Sequence, residues 1–65
     1  MITILEEIPT EAKKGGKTLY RRVYLSSDPT TPLPTDGAPG SIALLRETNG
    51  IGIRILFADG IWGSF

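Results

Sequence analysis

The sequence contains no cysteine and no histidine. Without cysteine there is no disulfide framework and no thiolate metal site. Without histidine the usual zinc sites cannot be assembled, and the commonest general acid–base side chain near neutral pH is missing. Excess charge is also absent, because seven basic and seven acidic residues cancel. A chain with no cationic surplus is a poor general binder of nucleic acid, where phosphate neutralisation supplies most of the affinity. No apolar run approaches the roughly 20 residues of a membrane-spanning helix. The segment Met1 to Glu7 has neither the basic start nor the long apolar core of a secretory signal. These absences lead us to expect a protein made in a cytoplasm, with no metal, no cofactor and no membrane partner.

What is present is short. Sixty-five residues make one domain, 1–65. A chain of this size buries only about 60% of the surface its unfolded form exposes, and small domains usually add a disulfide, a metal or a partner subunit. With the first two removed by composition, self-association or docking on a larger assembly is expected. A small barrel that folds alone is the alternative.

The pattern along the chain is that of strands. Residues 1–8 alternate around Ile2, Ile4 and Leu5 and read as a short strand ended by Pro9. Residues 9–17 are polar, contain Gly15-Gly16 and read as a turn or loop with room for one helical turn near Glu11 to Lys14. Residues 18–25 form a second strand, with Leu19, Arg21, Val23 and Leu25 on one face and Thr18, Tyr20, Arg22 and Tyr24 on the other. Residues 26–40 hold four of the five prolines. Proline fixes φ and lacks an N–H, so this stretch cannot be a central strand or a helix and should be an extended arm. Asp36-Gly37 and Pro39-Gly40 are turn signals within it.

Residues 41–47 and 51–57 read as strands joined by a two-residue Asn49-Gly50 hairpin turn. Asp59-Gly60 then turns the chain into a last strand at Ile61-Trp62, completing a three-strand meander. No helical periodicity extends beyond one turn. The fold expected is all-β: a small antiparallel sheet or barrel of about five short strands, with a C-terminal meander and a Pro-rich extended arm.

Catalytic groups do not converge. Asp36 and Asp59 precede turn glycines, where aspartate bonds its own backbone. Glu6 and Glu7 are adjacent and point to opposite faces of a strand. The serines have no base to activate them. Gly50-Ile51-Gly52-Ile53 lacks the third glycine and the helix of a phosphate-binding fingerprint. No enzyme is expected, and no catalytic residue is assigned. The most distinctive polar feature is the basic cluster Lys13, Lys14, Lys17, Arg21 and Arg22, interleaved with Tyr20 and Tyr24. It suits a protein interface, a single-strand stacking surface or a solvated edge strand. Trp62 and Phe65 fit either a core cap or an interface anchor. The interface candidates are Tyr20, Arg22, Tyr24, Pro32, Leu33, Pro34 and Trp62.

The run from Leu33 through Pro39-Gly40-Ser41 to Ala43, followed by a hairpin and then Asp59-Gly60-Ile61-Trp62, resembles a pattern in small tailed-phage virion proteins. These are capsid decoration (cement) proteins and the capsid-proximal parts of head-fibre proteins. The resemblance covers residues 33–62 and is carried by turn motifs; the N-terminal half matches nothing in it. It implies a non-enzymatic subunit at the virion surface that stabilises the shell by binding across neighbouring capsid proteins. The partner would be the major capsid protein or another virion protein, and the subunit a homo-oligomer, with a trimer favoured. The alternatives are a nucleic-acid-binding β module using segment 13–24 and a small regulatory protein that binds one cellular partner.

Overall fold

The computed structural model describes residues 2–28 and 30–64. Pro29 of the arm and Phe65, a candidate anchor, lie outside the described residues. Five strands form one sheet in chain order: β1 (Ile2–Lys14), β2 (Lys17–Ser26), β3 (Ile42–Glu47), β4 (Gly50–Leu56) and β5 (Trp62–Ser64). No helix occurs among the described residues. The all-β fold with a C-terminal meander is therefore present, and the sheet is open rather than closed into a barrel.

One joint departs from an antiparallel sheet. β2 and β3 run parallel, with Val23 beside Ile42 and Leu25 beside Leu44. Parallel neighbours need a crossover of a dozen or more residues, ordinarily a helix. Here the Pro-rich arm makes that crossing, and its described residues, 27–28 and 30–41, form no helix or strand. Its length follows from the crossing it spans.

The N-terminal strand is longer than expected. β1 passes through Pro9 and runs to Lys14, replacing both the stop at Pro9 and the loop with a helical turn over 9–17. Proline is excluded from a strand only where its N–H would be paired, and β1 is an edge strand with one side open. The register slips twice, between Ile4 and Glu6 and between Pro9 and Lys13. At the second slip the Thr10 hydroxyl donates to the Leu19 carbonyl at 2.7 Å and accepts from the Ala12 N–H at 3.2 Å. Gly15 and Gly16, at φ 59° and 78°, make the two-residue turn into β2.

Two further turns are shifted by a residue or two, and the one at Pro39-Gly40 stands where the sequence places it. Glu47 pairs with Gly50, so Thr48 and Asn49, not Asn49-Gly50, are the hairpin loop. Gly60 donates to the Phe57 carbonyl and Phe57 N–H to the Ile61 carbonyl, so the last turn spans Phe57 to Gly60 and β4 ends at Leu56. In the arm the turn is Ala38-Pro39-Gly40-Ser41, closed by Ser41 N–H to the Ala38 carbonyl at 3.2 Å. Proline at its second position and glycine at φ 92° at its third are the residues a type II turn requires.

The register sorts the side chains into two faces, because cross-strand partners share a face and neighbours along a strand alternate. Tyr24, Ala43, Leu45, Leu56 and Trp62 lie on the face over which the arm passes. Tyr24, Ala43 and Leu45 are buried there, with Ile2, Leu33 and Trp62 packed against them. The opposite face carries Val23, Ile42 and Ile55 in one row, Leu25, Leu44 and Ile53 in the next, and Ile51 beside Arg46.

Candidate interaction surface

On the covered face the arm is fixed by a set of bonds that use most of the polar groups singled out in the sequence. Ala38 N–H donates to the Tyr20 carbonyl at 2.8 Å, and Gly40 N–H to the Leu56 carbonyl at 2.8 Å. Leu56 N–H returns a bond to the Ser41 carbonyl at 2.9 Å. The chain thus threads between β2 and β4 before β3 begins. Ser41 is fully buried, and its hydroxyl donates to the Ala38 carbonyl at 2.7 Å while accepting from Arg22 N–H at 3.1 Å. Gly37 is needed for this approach. A Cβ there would sit 2.9 Å from Ser41 Oγ and 3.3 Å from the Tyr20 carbonyl oxygen.

Arg22 ties three elements together. Its guanidinium donates to Glu7 of β1 at 2.6 Å, to Asp36 of the arm at 3.2 Å and to the Tyr24 hydroxyl at 3.3 Å. The bonds to Tyr24 and Glu7 push its proton affinity above the ordinary arginine value, so it stays charged. It also lies 5.9 Å from the Tyr20 ring centroid. Trp62 donates its indole N–H to the Pro34 carbonyl at 2.9 Å and meets Tyr24 edge-on at 6.0 Å.

The interface candidates are therefore brought together, but largely within the chain. Tyr24 is 1% exposed. Tyr20, Arg22, Leu33, Pro34 and Trp62 are half-buried in the contact between arm and sheet, and Pro32 alone of the seven is exposed. Tyr24 offers no ring for stacking on a base, and Arg22 is already paired with two carboxylates. Lys13, Lys14 and Lys17 remain exposed at the tip of the β1–β2 hairpin.

The opposite face is where sequence reasoning named no site. Nothing described lies over its centre. Leu25, Ile42 and Ile53 are 44%, 37% and 42% exposed, and Ile51 is 74% exposed. Phe57 continues the surface, its ring lying over Gly63 where a Cβ would stand. Arg21, Arg46 and Glu6 stand at its ends and side. An open depression of about 500 Å³ lined by Leu25, Leu44, Arg46 and Ile51 extends it towards the β3–β4 turn. A separate cleft of about 190 Å³ is lined by Lys14, Leu19, Asp36, Pro39, Phe57 and Asp59. Among the described residues no cluster of His, Cys, Asp or Glu could hold a metal ion.

The signal for this face was present in the strand patterns. Ala43 and Gly52, small residues of β3 and β4, share the arm's face, and Gly52 lies beneath the Glu47–Arg54 ion pair, where a Cβ would meet both side chains. The branched residues Ile42, Leu44, Ile53 and Ile55 are all on the other. Without the register these alternations could not be assigned to one surface. Comparison with known protein families, curated proteins and solved structures finds no match to this chain.

Proposed function

We propose that this chain is a non-enzymatic structural subunit that works by assembly, and that the assembly is a tailed-phage particle in which it acts as a capsid decoration subunit. The observation that carries the first part is the uncovered apolar face. A stable domain packs at least two layers around its core, whereas this chain supplies one sheet and an arm on one side of it. It is a part that other chains complete.

The second part rests on the resemblance over residues 33–62. In support of it, the Pro39-Gly40-Ser41 segment turns directly into β3, the β3–β4 hairpin follows, and the turn ending at Gly60 leads into the strand that carries Trp62. The surfaces left for the shell are the basic hairpin tip with Lys13, Lys14 and Lys17, and the exposed arm around Pro32. A cationic tip suits an acidic outer shell surface.

Density-gradient sedimentation of particles made by the phage that encodes the chain tests this reading. The expected result is a tagged copy that co-sediments with full and empty heads and is not released by nuclease. Retention at the top of the gradient, with a single cellular protein co-purifying, would overturn it in favour of a regulatory partner. Release by nuclease would favour the nucleic-acid module.

A further inference from the structure

We propose that the bare face is covered by the same face of a second copy, so that two chains form a two-layer β-sandwich about a two-fold axis. The inference deepens the assembly reading by naming the first partner and the surface it takes.

Both sheet edges are poor sites for association. The outer edge of β1 contains Pro9, which has no N–H to give, and two register slips that bend the strand. β5, the other edge, is three residues long. Prolines, bulges and very short strands are the devices by which edges resist added strands. The apolar face has no comparable defence. Charge is confined to Arg21, Arg46 and Glu6 at its margins, and the rows Val23–Ile42–Ile55 and Leu25–Leu44–Ile53 between them hold none.

The dimensions match a missing layer. The molecule measures 40 × 21 × 15 Å, thin for its length. It exposes 4625 Å², whereas a compact monomer of its 7.0 kDa exposes roughly 4,000 Å². The apolar face offers on the order of 600 Å², the upper end for a single patch on a monomer. Two copies face to face would bury about 1,200 Å², the lower limit for a specific, stable complex. Sheets stack about 10 Å apart, a distance that interdigitating Leu and Ile side chains fill.

The occupant is a second copy rather than a foreign chain on two grounds. The net charge of the chain is zero, so copies do not repel one another at long range. The face is also apolar across both central rows, with charge only at its margins, so its centre is complementary to itself, as an isologous two-fold interface requires. A three-fold ring, favoured by the resemblance, would need two different complementary patches, and only one apolar sheet face is present among the described residues.

Sedimentation equilibrium of the free protein over about three decades of concentration around the micromolar range tests the proposal. The expected result is a mass that rises from one chain to two and stops there. Ile53→Lys should weaken the association at least about 100-fold by placing a charge in the buried centre, with Ile4→Lys, on the arm's side of the sheet opposite Tyr24, leaving it unchanged. A constant monomer mass, a trimer, or a dimer indifferent to both Ile53→Lys and Leu25→Lys would overturn it. The wild-type mass decides even if a variant fails to fold. A dimer that does not join particles would leave this inference standing and remove the virion reading; a particle-bound monomer would do the reverse.

Discussion

The two faces of the sheet are made by the same strands and differ in what lies on them. On one, small residues let the arm approach, and Arg22, Ser41 and Trp62 fasten it with hydrogen bonds. No buried side-chain nitrogen or oxygen among the described residues lacks a partner, so that face is complete. On the other, Leu25, Ile42, Ile51 and Ile53 are exposed, and charged groups stand only at the margins. A small chain has one segment to spend as a second layer, and this chain places it on the side where Tyr24 must be buried. The lesson is that stability and association can be divided between the two sides of one sheet.

That division can be broken from the covered side first. Tyr24→Ala should lower the free energy of unfolding by about 3–5 kcal/mol, the range for deleting a buried aromatic; urea denaturation reads it directly. Gly37→Ala should cost about 1–3 kcal/mol, because the new Cβ crowds Ser41 and the Tyr20 carbonyl and the packed arm has little room to yield. Trp62→Phe keeps one aromatic ring but removes the donor to Pro34 and part of the packed indole, and should cost about 1–2 kcal/mol in the same assay. By contrast, Ile53→Ala on the bare face should change the unfolding of the dilute monomer by only about 1 kcal/mol, since that side chain keeps 42% of its surface exposed within one chain. A large effect at Ile53 under monomeric conditions would erase the distinction between the faces.

The smallest expected effect lies at the start of the arm. Thr30 donates its backbone N–H and its hydroxyl to Asp28, which lowers the Asp28 pKa below its ordinary 3.8. A lowered carboxylate pKa stabilises the fold fully above the unfolded-state value, and the contribution is lost as pH falls through the lower folded-state value. The wild type should therefore lose slightly more stability than Asp28→Asn when titrated from pH 5 into the acid range. Equal losses would show that the turn contributes nothing.

Much of the fold was legible in the sequence because it is encoded locally. Alternation and turn glycines mark β2 to β5 within a residue or two, and four prolines mark the arm. β1 beyond Pro9 was not legible, because proline ends a strand only when its N–H side must be paired, and which strand lies at the edge is a property of the whole sheet. The parallel joint between β2 and β3 is long-range for the same reason. The mixed faces of β2 do not say which side the chain itself fills. Tyr20, Arg22, Pro34 and Trp62, conspicuous as interface residues, are engaged by the arm. The aliphatic residues opposite them form a surface only once the register aligns three strands.

The most direct measurement of the division is residue-resolved. Methyl NMR with a soluble paramagnetic agent, at a dilute and a concentrated sample, reports which side chains meet solvent. The account predicts that the methyls of Leu25, Leu44 and Ile53 are relaxed in the dilute sample and protected in the concentrated one, while those of Ile4 and of Thr30 in the arm stay relaxed in both. Equal relaxation of all five at both concentrations would contradict it.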